Sequence, residues 1–414
     1  MNNFKKTITY ILCLSFFVIL TLKKDIIFDK SKEEKNHVVV KMNFEKDFQD
    51  AIKKAEQENK LIFIDCYTDW CYWCKVLDTA VFEDHKFAYF MNKNFINLKV
   101  NTEEGFGKAI AMKYFIRGYP TAIILDKNLN LKGKITGYSE AKTYKANIIK
   151  IMGKRNAELN PIIDTSIYDK LYGQMFREKI EGKYKKYKQP NINEINNFFS
   201  KERDYMKEHN FAMLWRYSHK CPAKLLDMVY EDKKKFKKKF GEEAVNTILG
   251  SKHSIMLKEA VRNNDSDKLN EIITLAIEIW GKENKDIMRF NIKNDFYMQT
   301  DNCQKVTELT ALFLKQNKKN DINNTINGIA WDFYENIEDT VCLKSAISWM
   351  ESLSNLQPYQ IDTHAALLYK IGDYENARIK AEEAISQGIA KKDSMLSTRS
   401  LLTEINSAII QSTN

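Results

Sequence analysis

Proline and glycine are scarce, at 5 and 14 of 414 residues, which excludes a collagen-like or low-complexity chain and argues for helix-rich globular structure. Only one Cys-x-x-Cys is present, and His85 is the only histidine near it, so the second ligand pair of a structural zinc site is missing. The other cysteines, at 13, 66, 221, 303 and 342, have no disulfide-scaffold spacing. Cys66 is read as a small hydrophobe in a strand. The spacing of Cys221, Cys303 and Cys342 leaves open whether any of them pair, and buried free thiols are the plain alternative. Charge of one sign is also lacking. The net charge of +10 comes from 65 basic against 55 acidic residues. The lysines are interleaved with acids and no base-reading motif accompanies them, so a solvated surface is expected and no nucleic-acid partner.

Long apolar runs are absent after the first 24 residues. Met1–Lys6 is short and basic, and Thr7–Leu22 is a charge-free run of 16 residues followed by Lys23 and Lys24. Such a segment fits an export signal or a short membrane anchor. No small-x-small cleavage site ends it, and Ile11-Leu12 before Cys13 lack the small residue of a lipoprotein signal. Residues 1–24 are therefore read as an anchor in preference to a cleaved signal. They place the rest of the chain in the periplasm or cell envelope, with membrane contact confined to them. Residues 25–37 follow as a polar tether, and Val38-Val39-Val40 leads into a first strand.

What is present is Trp70-Cys71-Tyr72-Trp73-Cys74-Lys75. Leu61–Cys66 upstream is an apolar run of strand length, and the chain from Cys71 to about Asn92 reads as helix with interruptions. A Cys-x-x-Cys where a strand hands over to a helix puts its first sulfur at a helix N-terminus. There unpaired N–H groups and the macrodipole favour the reactive thiolate. An inert structural disulfide is the bland alternative, although so short a ring adds little loop-closure entropy. Around this centre, Phe44, Phe48, Ala51, Ile52 and Ala55 recur at helical spacing. Phe95–Val100 is a strand, Glu104–Tyr114 a helix, Arg117–Thr121 a turn, Thr121–Leu125 and Leu131–Ile135 a hairpin, and Ser139–Met152 a closing helix. This is an α/β sandwich around one sheet.

These residues carry a resemblance. The stretch 38–153 resembles the thioredoxin family, which implies an α/β domain with a central mixed sheet flanked by helices. Trp70-Cys71-x-x-Cys74-Lys75 is similar to the family's active-site motif, and Asp65, six residues before Cys71, stands where the family keeps a buried carboxylate. Tyr119-Pro120-Thr121 is similar to its cis-proline loop, which presents backbone to substrate. The resemblance implies a redox-active Cys71–Cys74 disulfide, with Cys71 as nucleophile, Cys74 resolving, and Asp65 accepting the Cys74 proton. Trp70 and Trp73 would flank an apolar substrate, although Trp73 also suits simple packing. Lys75 either favours the thiolate or faces solvent.

Tyr72-Trp73 replace the Gly-Pro of thioredoxin itself between the cysteines. Val81-Phe82-Glu83-Asp84, with Tyr119 before the proline, instead resembles bacterial envelope members, including the C-terminal domain of the transmembrane disulfide reductase. That implies a protein-disulfide reductase or isomerase rather than an oxidase. It would act on protein thiols and disulfides, with a membrane electron donor and no bound cofactor or metal.

From about 155 strands vanish and helical periodicity takes over, with breaks at Lys188–Asn191 and Lys220–Pro222. Residues 154–320 are read only as helices. Lys233–Phe240 is a basic helix with one apolar stripe, Phe236 and Phe240. Residues 321–414 resemble tetratricopeptide helix pairs, carried by Ala365, Tyr369, Gly372-Asp373-Tyr374, Ala377, Ala381 and Ala384, with a degenerate copy around Ala330, Trp331, Tyr334 and Ala346. The whole is an α/β thioredoxin-like domain followed by an all-α helical-repeat domain on which a protein partner can dock. The rival from another class is a helical scaffold or adaptor whose thioredoxin-like head senses redox state or is inert.

Overall fold

The apolar run Leu61–Tyr67 (β2) is the middle of a five-stranded sheet, and its inner residues are all buried. A strand buried on both faces needs such a run in place of alternation. In chain order the first unit holds β1 (Phe44–Glu45), α1 (Phe48–Glu58), β2, α2 (Tyr72–Leu77), a π-helical turn (Asp78–Phe82) and α3 (His85–Asn94). It continues with β3 (Phe95–Asn101), α4 (Gly107–Lys113), β4 (Thr121–Leu125), β5 (Leu131–Thr136) and α5 (Ala141–Met152). The sheet order is β1-β3-β2-β4-β5, with β1, β3 and β2 parallel and β4 and β5 antiparallel. This computed structural model describes residues 40–164, 191–201, 203–317 and 322–413, and the backbone of 178–180 and 183–185. Two compact units divide the chain, Met1–Tyr187 and Lys188–Asn414.

Side chains alternate across a strand. Phe63 packs with Leu77, Val81, Phe82, Phe87, Ala122, Tyr144 and Ile148 in one buried cluster, so α2, the π turn, α3 and α5 cover one face of the sheet. Asp65, two positions on from Phe63, points to that same face. Ile62, Ile64 and Cys66 point to the other, fully buried.

The local boundaries have local causes. Phe44 belongs to β1, paired with Asn97, and not to the helix that its spacing to Phe48 predicts. Asp47 sets the helix start instead, its carboxylate accepting from Gln49 N and Asp50 N. The helix expected from Glu104 begins only at Gly107, where the backbone crosses β3 so closely that a Cβ would lie 2.0 Å from Asn101 O. The strand expected at Val38–Val40 starts outside the described residues, as do the N-terminal anchor, the tether and residues 188–190 of the first break. Among the described residues no helix is long and apolar enough to cross a membrane.

Strands do not vanish after residue 155: Glu178–Ile180 (β6) and Lys183–Lys185 (β7) form a short antiparallel pair. Among the described residues the regular elements of the second unit are all helices. Its helices are α6 (Ile192–Lys201), α7 (Glu208–Tyr217), α8 (Ala223–Glu231), α9 (Lys233–Phe240), α10 (Glu242–Asn263), α11 (Leu269–Trp280) and α12 (Lys285–Gln299). They continue with α13 (Cys303–Gln316), α14 (Asn323–Asn336), α15 (Thr340–Ser352), α16 (Pro358–Lys370), α17 (Tyr374–Ala390) and α18 (Leu396–Thr413). In the lysine-rich α9, Phe236 and Phe240 are buried, and Phe240 stacks on Phe211 of α7 with centroids 3.8 Å apart. Ala330, Ala346, Ala365, Ala377 and Ala381 are buried in one core along α14–α17, where small side chains let helices approach.

The pairing that the sequence leaves open is answered by the fold. Cys303 and Cys342 form a disulfide, with Cα atoms 6.1 Å apart. Cys303 opens α13 and Cys342 lies in the first turn of α15, so two helix starts 39 residues apart are brought together by packing that spacing does not reveal. Cys66 and Cys221 are free and buried.

Candidate active site

The turn after β2 delivers Cys71 to the N-cap of α2, in extended backbone, and its Sγ accepts the Cys74 N–H at 3.0 Å. Cys71 and Cys74 are joined in a disulfide. Both are nearly covered, at 4% exposure, although the neighbouring rings of Trp70, Tyr72 and Trp73 are open to solvent at 40–68%. Lys75 on α2 is exposed.

Asp65, Lys99 and Asp78 form a charged trio. Asp65 is 1% exposed, and Lys99, its register partner on β3, approaches it to 3.5 Å. The same ammonium is bonded to Asp78, four residues after Cys74 in the π turn. Lys99 thus links the strand carboxylate to the helical segment that carries the cysteines. Burial raises the Asp65 pKa to about 7; Lys99 opposes the rise and Asp78 adds to it. One Asp65 oxygen, Oδ1, is buried with no hydrogen-bond partner. A carboxyl that gains and loses its proton near neutrality is suited to proton transfer.

The loop before β4 completes the site. The Tyr119–Pro120 peptide bond is cis. Trp70 donates from Nε1 to Glu103 Oε2 at 2.8 Å and meets the Tyr119 ring edge-on at 5.9 Å. The Tyr119 hydroxyl accepts from Thr102 Oγ1 at 2.6 Å. Thr121 is buried, and its hydroxyl donates to Gly118 O at 2.7 Å, so it braces the loop. On the opposite side Trp73 stacks on Tyr138, centroids 5.6 Å apart.

The structure therefore joins the Cys71–Cys74 turn to the cis-proline loop through Trp70 and Tyr119, and ties Asp65 through Lys99 to Asp78, four residues after Cys74. Lys99, Asp78, Glu103, Thr102 and Tyr138 are additions that sequence reasoning missed. A charged residue inside each of the apolar runs Phe63-Ile64-Asp65-Cys66 and Asn97-Leu98-Lys99-Val100 was the available signal for the first of these. Among the described residues, Cys303, Asp339 and Cys342 have ligand atoms within 4.8 Å of one another, but the two sulfurs are bonded together.

The β-α-β order, a central mixed sheet and a Cys-x-x-Cys at a helix start define a thioredoxin-like domain. Residues 24–130 match the family model Thioredox_DsbH, described as a protein of unknown function, DUF255. The chain is 34% identical over 56 residues to spermatogenesis-associated protein 20 of Rattus norvegicus, covering 14% of the chain and 7% of that protein. It is 27% identical over 101 residues to the thiol:disulfide interchange protein DsbD of Haemophilus influenzae, covering 24% of the chain and 17% of that protein. The chain thus spans less than a fifth of the length of these curated relatives. Among solved structures, a candidate disulphide isomerase from Bacteroides thetaiotaomicron is 31% identical, covering 28% of this chain and 98% of that one, with a TM-score of 0.27.

Proposed function

We propose that the chain reduces or isomerises disulfides of exported proteins through the Cys71/Cys74 pair. The observation that carries this reading is the placement of Cys71 Sγ, at an α2 N-cap with an N–H at 3.0 Å, in the same unit as a buried carboxyl with a pKa of about 7. In the reduced pair the Cys71 thiolate attacks a substrate disulfide, forms a mixed disulfide and expels one substrate thiolate. Asp65 takes the Cys74 proton, and the Cys74 thiolate attacks Cys71 Sγ, closing the 71–74 disulfide and releasing the second substrate thiolate. Two electrons pass from the pair to the substrate. A dithiol protein at the membrane then re-reduces the pair.

The Thr7–Leu22 run supports an envelope location, and the Cys303–Cys342 disulfide suits an oxidising compartment. The stacked helices of the second unit serve as the surface on which a protein partner docks. Trapping tests the reading. A Cys74→Ser chain should accumulate disulfide-linked substrate complexes at Cys71, and a Cys71→Ser chain should not. Equal yields from both would reject Cys71 as the nucleophile.

A further inference from the structure

The geometry points to a metal site in the second unit that opens and closes with redox state. When the Cys303–Cys342 bond is reduced, the two thiolates and the Asp339 carboxylate bind one Zn2+, and oxidation of the pair expels it. No residue of the 71/74 pair takes part, so the site stands whether or not the redox reading above does.

The three ligand atoms lie within 4.8 Å of one another, and among the described residues no other group of His, Cys, Asp and Glu side chains does so. In a tetrahedral zinc site, with Zn–S about 2.3 Å and Zn–O about 2.1 Å, ligand atoms sit about 3.6–3.8 Å apart, inside that radius. Each ligand belongs to a helix start. Cys303 is the first residue of α13, which Asn302 caps by accepting from Lys305 N at 3.1 Å. Asp339 caps α15 through Oδ1, which accepts from Cys342 N at 2.9 Å, so the carboxylate is fixed beside the second cysteine. N–H groups at both helix starts favour the thiolate, which is the form that binds metal.

Cys303 and Cys342 are buried, at 6% and 2% exposure, whereas Asp339 is exposed. The cation therefore enters from the Asp339 side, and water takes the fourth position that three protein ligands leave open. Two thiolates select zinc over Mg2+ and Ca2+, which take oxygen ligands. A dithiol reductant gives two electrons and two protons to the Cys303–Cys342 bond and itself becomes a disulfide, and Zn2+ then displaces the two thiol protons. In reverse, a disulfide oxidant such as oxidised glutathione takes two electrons from the pair, closes the bond and frees the ion. In both states the ends of the same 39-residue segment are clipped together, by a covalent bond or by the metal.

The test uses the full chain carrying Cys71→Ser/Cys74→Ser, which removes the other dithiol, reduced with a phosphine and titrated with Zn2+ against a chromophoric chelator. One zinc should bind per chain, and Co2+ in its place should show thiolate-to-metal charge-transfer absorption. The oxidised chain should bind none, and oxidised glutathione should release zinc from the loaded chain as its thiols disappear. Asp339→Asn, which keeps a good helix cap, should weaken binding by roughly tenfold or more. Zinc should also raise the melting midpoint of the reduced chain, and much less in Asp339→Asn, which separates a folded site from metal held by an unfolded chain. No zinc on the reduced chain, equal uptake by the oxidised chain, or unchanged affinity in Asp339→Asn would each overturn the site.

Discussion

Lys99 Nζ lies 3.5 Å from Asp65 Oδ2, an ion pair between facing residues of β3 and β2 in which one partner is almost wholly buried. The same ammonium holds Asp78, so a charge placed in the sheet is shared with the segment that follows Cys74. Desolvation outweighs the pairing, and Asp65 is half protonated near neutral pH.

Asp65 should therefore destabilise the fold at alkaline pH. Its pKa is about 7 in the folded chain and about 3.9 when unfolded, so the native state binds the proton more tightly. Stability is full below about pH 4 and is lost as pH rises through about 7, by on the order of 4 kcal/mol. Asp65→Asn should raise the melting midpoint of the first unit at pH 8 by about 10 °C and change it little at pH 4. A lowered midpoint at pH 8 would contradict the burial argument.

Removing the cation should push the same group further. Lys99→Met leaves Asp65 without the interaction that lowers its pKa, so its titration should move up by about one pH unit or more. The pH profile for resolution of a Cys71 mixed disulfide should shift upward with it, and the rate at pH 7 should fall roughly fivefold. A single-turnover pH series measures this. An unmoved profile would mean that Asp65 does not take the Cys74 proton.

The second disulfide should hold the helical unit. It links residues 39 apart between α13 and α15, and the chain-entropy account assigns a loop of that length about 4 kcal/mol. Cys303→Ala/Cys342→Ala should lower the denaturant midpoint of the second unit by an amount equivalent to roughly 2–4 kcal/mol. The wild-type chain under strong reductant should show the same loss. Unchanged unfolding in both would show that the bond adds nothing.

Much of the head was legible because its signals are local. The run Leu61–Cys66 is long enough and apolar enough to be a central strand, and Cys71 follows it at the spacing of a turn into a helix. What escaped depends on register and packing. Lys99 meets Asp65 only once β3 is set beside β2, and Tyr138 meets Trp73 only once the chain after β5 folds back over α2. Phe44 misled because a strand and the helix after it happened to place apolar residues four apart, and the true boundary is the Asp47 cap. Cys303 and Cys342 carry no motif at all, since each lies at the start of a different helix. The inward bond of the Thr121 hydroxyl to Gly118 O likewise depends on how the loop folds back on itself.

The most direct test of the central claim is the equilibrium of the Cys71/Cys74 pair against glutathione redox buffers, read by mass spectrometry of alkylated peptides. The account predicts a pair that cycles reversibly at a potential near that of thioredoxin, about −270 mV. A pair that never exchanges, or one poised near the strong oxidants at about −120 mV, would contradict it.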